Sequence, residues 1–171
     1  VIDSTSVAMG SGILVELALR LLDEGKSTKE AVQILEEEKK KIVVVALLDT
    51  LEYLKRGGRI SKAVAFAGGV LKIKPVLSVT DGEIHLLGKA RGSKMGNNLL
   101  VQEINNVGGI DFGKPILLGY SGISDALLLK YIEDSRPIWN GRLEKIRYTT
   151  VGSVIGTHAG PGAVVVAFFK N

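Results

Sequence analysis

Ile42 to Leu48 reads Ile-Val-Val-Val-Ala-Leu-Leu, apolar at every position and rich in β-branched side chains. Successive side chains of a strand point to opposite sides, so neither face of this run can be left in water. The run therefore predicts a central strand in a sheet that is covered on both faces. A chain of 171 residues suits one domain and can bury a core of that kind.

The flanking segments supply the layers. Val1 to Asp3 reads as the end of a strand, after which Ser4, Thr5, Ser6 and the Gly10-Ser11-Gly12 triplet lead into a helix. Ile13, Leu14, Leu17, Ala18, Leu21 and Leu22 recur at helical spacing on one face of it, and Gly25 ends it. Ser27 and Glu30 form a capping box for a second helix, whose outer face is expected to pair Glu36 with Lys40 and Glu37 with Lys41. After the central run, Asp49 is placed to cap a short helix carrying Leu51 and Leu54, and Ser61 starts another over Lys62 to Gly69. Lys72 to Thr80 and Glu83 to Leu87 read as a hairpin, because Asp81-Gly82 supplies the positive φ angles of a type I′ turn. Further on come a helix over Ser93 to Asn106 with Met95, Leu99, Leu100 and Ile104 on one face, and a strand over Pro115 to Tyr120. Ser124 caps a helix that runs through Glu133; Leu143, Ile146 and Tyr148 fall on a further strand, and Gly162 to Phe169 forms the last. Five or six strands and four longer helices in mixed order, with one antiparallel hairpin, predict an α/β or α+β domain: a mixed β-sheet flanked by helices.

Composition narrows the function. With no cysteine there is no disulfide framework and no thiolate metal site, and two histidines cannot make a histidine metal cluster. A net charge of +4 and 5% aromatic residues argue against a base-stacking nucleic-acid surface. No run of about eighteen apolar residues is present, so no membrane span is expected. These features fit a cytoplasmic protein.

Among motifs, Gly108 to Pro115 nearly matches a phosphate-binding P-loop, but Pro115 stands where a hydroxyl must hold magnesium, and the segment leads from helix to strand. Gly10-Ser11-Gly12 lacks the third glycine of a dinucleotide fingerprint, since Val15 occupies its place. Two stretches remain. In Thr50 to Ser61, a helix stops at Gly57 and Gly58, and the turn gathers Lys55, Arg56, Arg59 and Lys62 into a positive corner. This corner reads either as a C-capped helix with solvated cations or as a surface for an anion or an acidic partner. Gly156 to Gly162 is glycine-dense and holds His158, an imidazole able to make a structural hydrogen bond or to serve as donor, base or nucleophile. His85, on the hairpin, is expected at the surface.

Taken in order, Val1-Ile2-Asp3-Ser4 with Gly10-Ser11-Gly12, Asp49 to Ser61, Leu71 to Pro75, Asp81-Gly82, Lys89-Ala90-Arg91 and Thr157 to Gly162 resemble the DegV family of bacterial fatty-acid-binding proteins. The resemblance covers nearly the whole chain and implies its C-terminal part. Family members are longer, and their first half carries a Ser-Gly-Thr loop whose hydroxyls bind the carboxylate. Val1 to Ser4 would then be the last strand of that absent N-terminal domain or the crossover from it.

The resemblance implies a carrier with no catalytic residues and no cofactor. Its ligand would be one long-chain fatty acid, presented to the ATP-binding subunit of a separate fatty acid kinase that makes an acyl phosphate for phospholipid synthesis. By position, His158, Thr157 and Gly160 would hold the head group, while Arg59, Gly57, Gly58 and Arg56 would meet the kinase or the phosphate. Ala8, Met9, Ile13, Leu47, Phe66 and Ile73 would line the tail tunnel. A tail of about sixteen carbons at roughly 0.8 kcal/mol per buried CH₂ supplies ample gross affinity, whereas a buried carboxylate requires donors. The alternative is a phospho-carrier in which His158 accepts a phosphoryl group. With half of the site elsewhere, the isolated chain is expected to bind fatty acid weakly or not at all.

Overall fold

The computed structural model describes residues 1–59, 73–80 and 82–171, the side chain of Lys145 excepted. Among them, six strands form one sheet: β1 (Ile42–Leu47), β2 (Ile73–Thr80), β3 (Glu83–Arg91), β4 (Leu117–Tyr120), β5 (Arg147–Thr150) and β6 (Val164–Phe169). Their order is β3-β2-β1-β6-β4-β5. β4 and β5 run parallel, and every other neighbouring pair is antiparallel. The apolar run is a central strand as expected, paired with β2 on one side and β6 on the other. β6 is its equal, buried at every position.

Alternation along β1 and β6 serves two helical layers. Val44, Val165, Ala167 and Phe169 pack against Met9, Ile13, Leu17 and Leu21 of α1 (Met9–Asp23) and Ala31 and Leu35 of α2 (Thr28–Glu38). Val45, Leu47, Val164, Val166 and Phe168 face the other way, toward Leu100 and Ile104 of α4 (Gly92–Asn106) and Leu128 and Tyr131 of α5 (Ala126–Asp134). A smaller cluster of Leu48, Leu51, Leu54, Leu77 and Ala163 seats the short α3 (Glu52–Arg56) at one end of the sheet. The sixth helix, α6 (Ser153–Ala159), joins β5 to β6. The result is a mixed sheet between helical layers, an α/β fold.

Local chemistry accounts for the helix ends. Gly25, at φ +83, closes α1 with Lys26 N–H donating to the Leu21 carbonyl at 3.0 Å. The capping box of α2 is complete: Ser27 Oγ accepts from Glu30 N–H at 3.3 Å, and Glu30 Oε2 accepts from Ser27 N–H at 2.8 Å.

Several expectations are corrected. Val1 to Asp3 pairs with no strand among the described residues, because short side-chain bonds turn the chain instead. Asp3 Oδ1 takes Thr5 N–H at 2.8 Å, and Ser4 Oγ meets Ser11 Oγ at 3.0 Å. α1 starts at Met9, so the Gly10-Ser11-Gly12 triplet lies inside the helix. The charge pairs beyond α2 are Glu36–Lys39, Glu37–Lys40 and Glu38–Lys41, since the chain tightens there into a 3-10 turn with three-residue spacing. Asp49 bonds Lys74 rather than capping α3, and Thr50 Oγ1 accepts from Glu52 N–H at 3.1 Å instead. Leu22 and Met95 lie exposed, off the apolar faces assigned to them. Asp125, not Ser124, holds the N-cap position of α5. Leu143 belongs to a 3-10 turn ahead of β5, and β6 begins at Val164 rather than Gly162. The helix expected over Lys62 to Gly69 lies outside the described residues, as do Phe66 and Asp81.

The hairpin carries a feature that alternation does not reveal. Val76 pairs with Gly88 but Leu77 pairs with Leu86, so Leu87 is an extra residue on β3. The bulge switches the strand between layers: Ile84 and Leu86 pack on the α3 cluster, whereas Gly88 lies against Leu99 of α4.

Candidate functional site

β1, β4 and β5 point the same way, and the segments beyond their carboxyl ends meet at one edge of the molecule. This is where open α/β sheets commonly hold ligands. Leu48-Asp49-Thr50 leads from β1 into α3; Ser121-Gly122 follows β4; α6 follows β5 and returns through Gly160-Pro161-Gly162 to β6.

α3 ends as the two glycines require. Gly58 takes φ +67, and Arg59 N–H donates to the Leu54 carbonyl at 2.9 Å, which closes a Schellman turn. Gly57, at φ −78, has ordinary helical backbone and is needed for a different reason. A β-carbon on it would lie well inside 3.0 Å of His158 Nδ1, so the imidazole rests directly on the Gly57 backbone. Tyr53, one turn earlier on the same face of α3, lies equally close against Gly160, at φ +74. One face of α3 is thus moulded to the end of α6, and it fixes where His158 points.

His158 lies in the last turn of α6, half-buried, with Nδ1 buried and without a hydrogen-bond partner among the described residues. A buried nitrogen lacking a partner carries a desolvation cost, and such groups concentrate where function requires them. Arg59 stands beside it: its Nη1 donates to the carbonyl of that same Gly57 at 2.7 Å, and the side chain is otherwise open to solvent. Arg56 pairs with Glu52 on the exposed side of α3. Thr157 Oγ1 donates to the Ser153 carbonyl at 2.8 Å, so its single proton is already committed and it can only accept.

The Gly57–Arg59 turn and the glycine-dense turn, about a hundred residues apart in sequence, are therefore adjacent in the fold. Of the tail residues, Met9 and Ile13 are buried in the α1 layer, with half-buried Ala8 at φ +50 beside them. Leu47 faces the other layer, where it contacts Gly96, so the sheet separates it from Met9 and Ile13 and they cannot line one tunnel. Ile73 is half-buried at the start of β2. Tyr53 and Ser121 were not anticipated. The four-residue step from Tyr53 to Gly57 was a usable signal for the first; nothing in the sequence pointed to the second.

A second cleft, of about 430 Å³, opens at the opposite end of β4 between Arg20, Lys114, Arg142 and Arg147. Its cations are already occupied: Glu16 pairs with Arg20 and Arg147, Glu38 and Asp111 pair with Lys114, and Arg142 lies 4.8 Å over the Phe112 ring.

The family model described as an uncharacterised protein of the DegV family matches residues 1–171. The chain belongs to the DegV family. A DegV domain-containing protein of Caldanaerobacter subterraneus is 35% identical over 170 residues, 98% of this chain and 59% of the relative. Another, of Clostridium perfringens, is 35% identical over 174 residues, 100% of this chain and 58% of that relative. The chain thus spans about three fifths of the length of the DegV relatives it matches. Among solved structures, a DegV protein from Eubacterium eligens loaded with heptadecanoic acid superposes with a TM-score of 0.86 at 23% identity, covering 99% of this chain and 60% of its own. The DegV protein described for fatty acid binding from Thermus thermophilus gives 0.79 at 30% identity, with 98% and 60% covered. The fatty acid kinase B3 protein of Streptococcus pneumoniae, loaded with linoleic acid, gives 0.83 at 24% identity, with 99% and 59% covered. These likenesses establish the DegV fold for the chain.

Proposed function

We propose that the protein containing this chain carries one long-chain fatty acid, with the carboxylate at the His158 turn and the head group within reach of a separate kinase at Arg59. The observation that carries the reading is the shared seat of the two residues. His158 rests on the backbone of Gly57, and Arg59 donates to the carbonyl of that same glycine. An imidazole held rigidly by backbone can donate through Nε2 to a carboxylate without reorganising. An exposed guanidinium next to it suits a partner's acidic surface or a phosphoryl group forming on the acid. The fatty-acid-loaded DegV structures support the ligand class, and the pneumococcal kinase B3 protein supports the kinase. The chain spans about three fifths of its relatives' length, and in this reading the remaining carboxylate donors would come from the part it does not cover. The tail wall nearest this reading is Ala8, Met9 and Ile13.

The role is that of a carrier: the chemistry of acyl-phosphate formation belongs to the kinase. Native mass spectrometry of the full-length protein tests this reading. One long-chain acid per molecule is expected, and it should be lost from His158→Ala. A full-length protein that takes up no acid when offered palmitate or oleate overturns it.

A further inference from the structure

His158 lies in the last turn of α6, and the glycine-dense turn that follows leads straight into β6. Gly160 and Gly162 both have positive φ, and Pro161 between them has no N–H to donate. α3 seats the imidazole from one side, and the path of this turn sets where the end of α6 lies against that seat.

Ser121 has the geometry of a clamp on this turn. It follows β4 directly and is 2% exposed. Its hydroxyl donates to the Gly160 carbonyl and accepts from the Ala163 amide at 3.0 Å, so it spans both ends of the Gly-Pro-Gly turn. The backbone adds two more bonds: Ser121 N–H donates to the Ala163 carbonyl at 3.1 Å, and Gly162 N–H donates to the Ser121 carbonyl at 2.9 Å. The other two buried polar residues among those described have structural duties elsewhere. Asn97 ties α4 to Asp134, and Ser135 closes α5 and takes the Trp139 indole. Neither approaches the His158 turn.

We infer that Ser121 is a positioning residue of the acid site, acting through Gly160 and Ala163 to hold the His158 imidazole where the carboxylate needs it. This rests on the carrier reading above. Ser121 acts through the turn and not on the ligand: its hydroxyl ties the Gly160 carbonyl to the Ala163 amide across Pro161, which has no N–H to donate. The selectivity it confers is for the head group, not for the chain.

The test compares palmitic acid with hexadecanol, which has the same tail and no carboxylate, on full-length wild type, Ser121→Ala and Ser121→Cys. In Ser121→Ala, palmitic acid is expected to bind about tenfold more weakly and hexadecanol to change by less than about twofold. Ser121→Cys, of similar volume with a weaker hydrogen-bonding group, should fall between, and it decides on the same ratio should the alanine variant fail to fold. An unchanged acid-to-alcohol ratio, with both ligands kept or both lost together, overturns the role of Ser121 and leaves the carrier reading standing. A wild-type protein that binds neither ligand overturns the carrier reading itself.

Discussion

A side chain at position 57 would have to share space with the His158 imidazole, while the backbone there is ordinary helix. Gly57→Ala therefore separates two effects that usually travel together. Alanine is the better helix former by up to about 1 kcal/mol, so the fold should be kept, while the displaced imidazole should weaken acid binding by at least about tenfold. Calorimetric titration of the full-length variant with palmitate measures the second effect. Gly58→Ala is the counterpart. At φ +67 with open space around it, the new methyl strains the turn without touching His158, and it should cost about 1 kcal/mol of stability with affinity unchanged. Arg59 bonds a backbone carbonyl and no other side chain among the described residues, and lies exposed. Arg59→Ala should leave acid affinity within about twofold of wild type but slow kinase-dependent formation of acyl phosphate, read as acyl hydroxamate after trapping.

At the scale of elements, β6 is the piece on which both layers depend, since its odd and even side chains serve different cores. Phe168→Ala should cost about 3–5 kcal/mol, read as a lowered urea midpoint. Lys114 links the end of α2 to the loop before β4 by bonding Glu38 and Asp111, with Lys41 also on Glu38. Burial raises the pKa of Glu38, but hydrogen bonds from Lys114 and Lys41 outweigh it, and the net value is lowered. Asp111 is likewise lowered, burial being outweighed by the Gly113 amide and Lys114. Carboxyls lowered in the fold stabilise it above the ordinary carboxylate range and lose that contribution as pH falls through the lowered values. Urea midpoints should drop between about pH 5 and pH 3, and Lys114→Met should be less stable near neutrality with a shallower drop. What was legible in the sequence at this scale was local. The Ile42 to Leu48 run, the Ser27–Glu30 box and the glycine stops depend on neighbours a few residues away, and all three are present. The bulge at Leu87 and the face taken by Leu47 depend on which strand lies alongside, and a run buried on both sides carries no mark of which side is which.

Over the whole molecule, the sequence named His158 and the Gly57–Arg59 corner separately, first from glycines and side-chain chemistry and then through family motifs. That His158 seats on Gly57 is a property of the fold, because α3 and α6 meet only after β6 has closed between β1 and β4. In the segments that follow β4 and β5, Ile123 is fully exposed and Val154 is 75% exposed, two apolar side chains open to solvent at that end of the sheet. The 171-residue chain alone should bind palmitate at least about tenfold more weakly than the full-length protein, measured side by side by titration. The central claim is that the imidazole of His158 meets the acid at its head. Isotope-edited nuclear Overhauser contacts between ¹³C-palmitate and the His158 ring in the full-length protein test it most directly. The account predicts cross-peaks from the ring Hε1 to the C2 protons and none to the terminal methyl; contacts to the methyl end, or none to the acid at all, would contradict it.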